Sequence, residues 1–172
     1  MRAVVAAAIA AVVVGSAARA EEGFFPLVIS GDWGAAEHRP SMTAPPDICL
    51  AMNGAAGFAF RADSYGVQIR ITNNSWSLPP HVKGSVLIQI GNQQKQLEID
   101  DNTSDMLDIP VSNEDTIFLL TTMDNSAIMT VTVGKAKPLA VSLVGSTRVT
   151  NAFRTCAGIN SNAKTPGGNP FE

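Results

Sequence analysis

The amino-acid sequence predicts a mainly β protein, an antiparallel β-sandwich-like domain with about two short helices and one disulfide. Apolar and polar residues alternate through several short runs, which is the pattern of strands with one buried face. Strands do not alternate with long helices, as they would in a parallel sheet. About eight such runs can be counted, which is typical of a sandwich. The only two cysteines, Cys49 and Cys156, supply the disulfide.

The N-terminal segment, MRAVVAAAIAAVVVGSAARA, predicts a secretory signal peptide (residues 1–20). Arg2 precedes an apolar run from Ala3 to Val14, and the segment ends in Ala18-Arg19-Ala20, which fits a small-residue cleavage site. The apolar run is shorter than the roughly 20 residues that span a bilayer. We therefore expect cleavage after Ala20, a periplasmic or secreted protein, and no membrane span.

The rest of the chain predicts one β-rich domain, residues 21–158, and a tail, residues 159–172, whose glycines, prolines and polar residues indicate disorder. Both cysteines lie in the exported part, where pairs of thiols oxidise, so we expect a Cys49–Cys156 disulfide. A nucleophilic cysteine is the alternative, but it would need a base beside it.

Strand patterns fill the first half of the domain. FFPLVIS predicts a short strand that ends at Gly31-Asp32-Trp33, residues 34–47 predict a loop rich in proline and small residues, and ICLAM predicts the strand that carries Cys49. Two hairpins follow, GFAFRA and VQIRIT around the turn DSYG, then SVLIQI and KQLEID around GNQQ. The inward-facing residues of the first hairpin are Phe58, Phe60, Val67, Ile69 and Ile71.

The period then changes at residues 113–124. Ser112 or Asn113 can cap a helix whose first turn is acidic, which suits the positive end of the helix dipole. Ile117, Leu120 and Met123 would share one face of this helix. A strand is the alternative, because several threonines in the segment are poor helix formers.

Two further strands, AIMTVTVG and PLAVSLVG, precede the last predicted element. In the first of them, Ile128 alternates with Thr130 and Thr132. Ser146 or Thr147 can then cap a second helix. Val149, Phe153 and Cys156 form its apolar stripe, and Gly158 ends it.

Charge and composition exclude several classes of function. The signal peptide contains two of the 12 basic residues, so the exported part has 10 against 15 acidic residues, a formal net charge of −5. This gives no basic footprint for nucleic acid. His38 and His81 are too few for a zinc site with several histidine ligands, so we predict no metal and no cofactor, with a mixed site of histidine and carboxylate ligands as the alternative.

The chain contains no complete catalytic motif, so we predict that it is not an enzyme. The acidic segment EIDDNTSDMLD, residues 98–108, is the exception to weigh. It lacks the glycine and terminal glutamate of an EF-hand, and a solvated turn is the simpler interpretation. A carboxylate-dependent enzyme acting on envelope polysaccharide remains an alternative that depends on two carboxyl groups converging.

Aromatic side chains and the histidines supply the candidate binding surface. Trp33 and Trp76 can anchor a partner, since interfaces are enriched in tryptophan. His38 and His81 lie in proline-containing segments and complete the candidate set. Packing of both tryptophans at the core edge, and solvation of both histidines, is the alternative.

Four features of the sequence together carry a family resemblance. They are GDW near the start of the exported part, a cysteine soon after it, W-x-L-P at residues 76–79, and VSLVGSTRVTNAFRTC at residues 141–156. In their order, the chain resembles small proteobacterial periplasmic proteins of the invasion-associated locus B family. The resemblance implies a β-sandwich envelope protein, sometimes linked to host-cell invasion, with no assigned catalytic residues. Ser142, Leu143, Gly145 and a helix through Phe153 match the late segment of that family.

The predicted function is therefore that of an exported, non-enzymatic protein that binds another protein or a cell-envelope component, with a host-interaction role implied by the resemblance. An inhibitor or immunity protein of a periplasmic hydrolase is a second hypothesis. It requires a rigid loop that projects from the sandwich, formed by residues 37–47 or 73–80.

Overall fold

A computed structural model of the protein describes residues 22–159. The predicted signal peptide, with its cleavage site after Ala20, and the predicted tail beyond Ile159 lie outside the described residues. Ile159 itself still packs against the core, and its N–H donates to the carbonyl of Arg154 at 2.9 Å. Within residues 22–159, no helix combines the length and the apolarity needed to cross a bilayer.

Two antiparallel sheets and two helices make up the fold, which confirms the predicted fold class. The strands are β1 (Gly23–Ser30), β2 (Trp33–Arg39), β3 (Ile48–Asn53), β4 (Phe58–Asp63), β5 (Gly66–Thr72), β6 (Ser85–Ile90), β7 (Gln93–Glu98), β8 (Asp101–Asn102), β9 (Met106–Val111), β10 (Ile128–Val133) and β11 (Leu139–Ser142). The seven-stranded sheet has the order β1-β2-β3-β4-β5-β9-β8. The four-stranded sheet has the order β11-β10-β6-β7.

Both predicted hairpins are present, β4 with β5 and β6 with β7. Their local alternation places one face of each strand in a shared core, where each large apolar side chain is nearly inaccessible to water. Phe58, Phe60, Ile69 and Ile71 are at most 1% exposed. The same alternation in β10 buries Met129 and Val131, while Ile128 is exposed.

The predicted loop at residues 34–47 is wrong in its first part, because Trp33–Arg39 forms β2 between β1 and β3. The residues of β2 have weak strand propensity, since Gly34, Ala35 and Ala36 have little or no side chain to pack. Pairing on both sides, rather than propensity, makes this segment extended. A true loop begins only at Pro40.

Helix α1 (Asn113–Met123) is a helix and not the alternative strand. Ser112 caps it, and its hydroxyl accepts a hydrogen bond from the N–H of Asp115 at 3.1 Å. Of the three residues predicted to share one face, Leu120 and Met123 are buried, whereas Ile117 is only half-buried. The residues that α1 buries are Thr116, Leu119, Leu120 and Met123.

Helix α2 (Ser146–Cys156) packs across the inner face of β1, β2 and β3. Its first turn is preceded by Gly145 in a left-handed conformation with φ 87°, so neither Ser146 nor Thr147 is the cap. Gly145 is required there because a side chain would collide with the carbonyl oxygen of Ser30. The helix thereby approaches the end of β1 closely.

The predicted apolar stripe of α2 is confirmed. Val149 and Phe153 are fully buried, and the ring of Phe153 lies 6.0 Å from that of Phe60. The Cys49–Cys156 disulfide joins the end of α2 to β3, with the two Cα atoms 5.9 Å apart. An early strand and the last helix are therefore covalently linked behind the seven-stranded sheet.

Candidate functional site

The four residues of the predicted binding surface do not form one site. Trp33 and His38 lie near opposite ends of β2, about 17 Å apart at the rise of an extended strand. Trp33 is also not on the surface, since it is 1% exposed and its indole N–H donates to the carbonyl of Ser142 at 2.7 Å. The ring packs edge-on against Phe58. Trp33 therefore links the two sheets in the core.

His38 lies in a small polar and aromatic cluster at the start of β1. Its Nδ1 is 2.6 Å from Asp47 Oδ1, and its ring centroid is 4.9 Å from that of Phe24. The hydrogen bond with His38 lowers the pKa of Asp47 below its ordinary value. This arrangement fixes the loop after β2 against the edge of the sheet.

The loop between β5 and β6 holds the other two predicted residues. His81 is exposed, with a left-handed φ of 57°. Trp76 and Leu78 instead lie against the core, and the N–H of Leu78 donates to the carbonyl of Ser104 at 2.8 Å. Residues 73–80 are thus anchored at Trp76 and Leu78, while their other six side chains are exposed. In the other proposed loop, Glu37 and Arg39 belong to β2, and the loop itself is residues 40–47. The inhibitor hypothesis stays a prediction.

The acidic segment brings two of its carboxylates to facing positions, since Asp101 and Asp108 are paired across β8 and β9. Asp108 forms a two-pronged ion pair with Arg70, with both N–O distances at 2.8 Å, and this pair raises the pKa of Arg70. Glu98, Asp100, Asp101 and Asp105 are exposed. Across residues 22–159, no three His, Cys, Asp or Glu side chains converge as metal ligands. In the facing pair of Asp101 and Asp108, Asp108 is already engaged by Arg70, and the carboxylate-enzyme hypothesis stays a prediction.

The outer face of the seven-stranded sheet, opposite α2, is apolar at one end. Strand pairing places Ile29, Gly34 and Met52 in one row, and Phe24, His38 and Ile48 in another. We call this region the apolar outer face, and its large or medium side chains are Phe24, Ile29, Ala36, Ile48, Leu50 and Met52. Phe24 is 56% and Ile29 74% exposed.

Toward the other end of the sheet the same rows become charged. In one row, the strand partner of Leu50 is Arg61, which forms an ion pair with Asp63 at 2.9 Å. In the next row, the sequence of partners that starts at Met52 continues to Arg70 and Asp108. The boundary between the apolar and the charged region lies at β4. An uncovered apolar area bordered by charge is characteristic of an interaction surface.

Strand β1 forms the edge of the sheet at this apolar end. It has eight residues, with a bulge between Pro26 and Val28. The other edges are short or polar: β8 has two residues, β11 has four, and β7 carries Lys95 paired with Asp115. Proteins protect edge strands by such means to avoid unwanted pairing. Among the described edges, β1 is the long apolar one.

A groove of about 700 Å³ opens beside Trp76, where the two sheets separate. The turn from Gly54 to Gly57 lines one side, Asn73 and Asn74 lie beside Trp76, and Lys137 stands on the opposite rim. A second depression, of about 470 Å³, lies over the disulfide.

The sequence predicted Trp76 as a candidate residue but did not predict the apolar outer face. The available signal was the strand GFFPLVIS, in which both faces carry large apolar side chains. Such a strand is buried on both faces or presents one of them to a partner. Because Phe24 and Ile29 are exposed within residues 22–159, the second interpretation fits better.

Comparison of the chain with protein-family models, with curated proteins and with solved structures gives no match. The resemblance to the invasion-associated locus B family stays a prediction from the sequence.

Proposed function

We propose that this protein is an exported, non-enzymatic β-sandwich module that binds another protein of the cell envelope through β1 and the apolar outer face. The observation that supports it is that the longest described edge strand, which is interrupted by Pro26 and a bulge, lies beside an apolar surface that no other part of residues 22–159 covers. An extended segment of a partner adds to such an edge by main-chain hydrogen bonds, and alternate side chains give specificity.

The charges around β1 favour a different protein over a second copy of this chain. Exposed Glu22 and Asp32 flank the two ends of the strand. Antiparallel pairing of two β1 strands would bring Glu22 close to Asp32 of the second copy, and like charges at close range oppose association. A partner strand with basic residues at its ends and apolar residues at alternate positions fits better.

A synthetic peptide tests this proposal directly. We expect Lys-Thr-Val-Thr-Ile-Thr-Val-Lys to bind and to slow hydrogen exchange of the β1 amides, because their free edge becomes paired. The same peptide with glutamate at both ends should bind at least about tenfold more weakly. A peptide with a central proline cannot complete the pairing and should not protect β1.

Two matched variants separate this surface from general stickiness. Ile29→Lys places a positive charge on the apolar outer face and should weaken binding of the lysine-ended peptide. Tyr65→Lys adds the same charge at the β4–β5 turn, where Tyr65 is 93% exposed, and should leave binding unchanged. Equal binding by both variants, or protection confined to other strands, would overturn the proposal.

A further inference from the structure

The Trp76 groove has the architecture of a ligand site that is separate from β1. Its volume of about 700 Å³ falls within the range of small-molecule sites. One wall comes from the seven-stranded sheet, through Ile71 and Thr72, and the other comes from β10 and β11. The groove therefore lies between two rigid sheets, which fix its width.

The turn from Gly54 to Gly57 keeps the groove open. Its four residues are glycine and alanine, so little side chain fills the space above them. Gly57 has φ 63°, and a side chain there would collide with the carbonyl oxygen of Thr72. The Gly57 carbonyl of this turn accepts a hydrogen bond from the Thr72 N–H of β5 at 2.8 Å. The small residues are thus held firmly in place.

The two tryptophans differ in burial and in the partner of the indole N–H. The N–H of Trp33 donates to the carbonyl of Ser142, whereas that of Trp76 has no protein partner within residues 22–159 and is accessible to water. Trp76 is partly exposed in the groove wall. A half-covered ring with a free N–H can stack on a flat ligand and donate to it. The exposed amide of Asn74 adds donor and acceptor capacity at the same wall.

The groove carries positive charge, whereas the chain as a whole has a net negative charge. Lys137 lines it, and Lys135 lies two residues away on the same exposed turn, while no Asp or Glu is found among its described lining residues. Neither lysine forms an ion pair within the described part of the chain. In a protein with a net negative charge, these two lysines make this rim of the groove locally positive.

We propose that the Trp76 groove binds an acidic saccharide, one whose sugar rings carry carboxylate groups. The ring face packs on Trp76, hydroxyl groups exchange hydrogen bonds with Asn74 and the indole N–H, and Lys137 pairs with a carboxylate. The groove is lined by neither β1 nor the apolar outer face, so this inference does not rest on the proposed function.

The probe is trigalacturonate, with its fully methyl-esterified form as the matched neutral ligand. The chain has two tryptophans, and Trp33 is buried, so a change in intrinsic fluorescence reports on Trp76. We expect a saturable change with trigalacturonate at micromolar to millimolar concentration and at least about tenfold weaker binding of the methyl ester. Raising the salt concentration should weaken binding of the acid form.

Calorimetry on variants completes the test. Trp76→Phe and Lys137→Gln should each weaken trigalacturonate binding by about tenfold, and Lys137→Gln should abolish the preference over the methyl ester. Lys83→Gln removes an equally exposed lysine away from the groove and should change nothing. The absence of saturable binding at millimolar concentration would overturn the inference, as would equal binding of the two ligands or no effect of Lys137→Gln.

Discussion

Replacing both cysteines by alanine should lower the free energy of unfolding by about 5 kcal/mol. Cys49 and Cys156 are 107 residues apart. In the chain-entropy model, releasing a loop of this length returns about 5 kcal/mol of conformational entropy to the unfolded state at about 25 °C. A domain of this size is stable by only about 5–15 kcal/mol, so the change removes a large part of its stability.

Urea unfolding followed by tryptophan fluorescence measures this change, because Trp33 is buried between the sheets. The Cys49→Ala, Cys156→Ala double variant should also unfold with a larger m-value, since its unfolded state exposes more surface. Reduced wild-type protein provides the matched control and should resemble the double variant. A loss below about 1 kcal/mol with an unchanged m-value would refute the reasoning, because the disulfide would then not constrain the unfolded chain.

Three further predictions concern the inner face of the sheet and its edge. Phe153→Ala should cost about 3–5 kcal/mol in urea unfolding, because Phe153 is fully buried against Phe60, and a loss under about 1 kcal/mol would contradict this packing. Gly145→Ala should lower the melting temperature, because the added side chain would collide with Ser30. Gly158→Ala is the control at an open position and should lower the melting temperature less. Equal decreases in the two variants would show that the contact with Ser30 does not matter. In an NMR titration, Asp47 should ionise below its ordinary pKa, and His38→Gln should raise that pKa toward the ordinary value. Because the folded-state pKa of Asp47 is depressed, its contribution to stability is present above the unfolded-state pKa and is lost as the pH falls through the folded-state value.

Local patterns predicted the elements whose structure depends on their own residues. The β4–β5 hairpin has strict alternation and a polar turn, so its buried residues could be read directly. The apolar stripe of α2 also marks its buried face without ambiguity. In both cases one periodicity dominates the segment.

The elements that were missed depend on their neighbours in space. Strand β2 exists because β1 and β3 pair with it, and no propensity of Gly34 or Ala36 indicates this. Helix α1 was predicted, but its threonines favoured the alternative strand. They bond back to the helix itself: the Thr116 hydroxyl donates to the Ser112 carbonyl at 2.8 Å, and the Thr122 hydroxyl to the Phe118 carbonyl at 2.7 Å. These bonds satisfy the hydroxyl groups without breaking the helix.

The candidate sites also depend partly on single residues and partly on contacts between distant segments. The sequence predicted Trp76 as a candidate binding residue, with packing at the core edge as the alternative. The groove beside it also depends on the turn Gly54–Gly57 and on Lys137, which are far apart in sequence. Trp33 has the same chemistry, yet burial and its bond to Ser142 make it structural. A tryptophan's role is thus set by whether the fold leaves its face and N–H free, which sequence does not encode locally.

The two proposed surfaces depend on different parts of the fold. Helix α2 and the Cys49–Cys156 disulfide support β1, β2 and β3 from the inner side, while the apolar outer face lies on the opposite side of the same strands. A rigid edge loses little conformational entropy when a partner strand pairs with it, so this support favours binding at β1. The Trp76 groove is instead bounded by β5, β10 and β11 and contains neither cysteine. The disulfide should therefore matter more for strand addition at β1 than for a ligand in the groove.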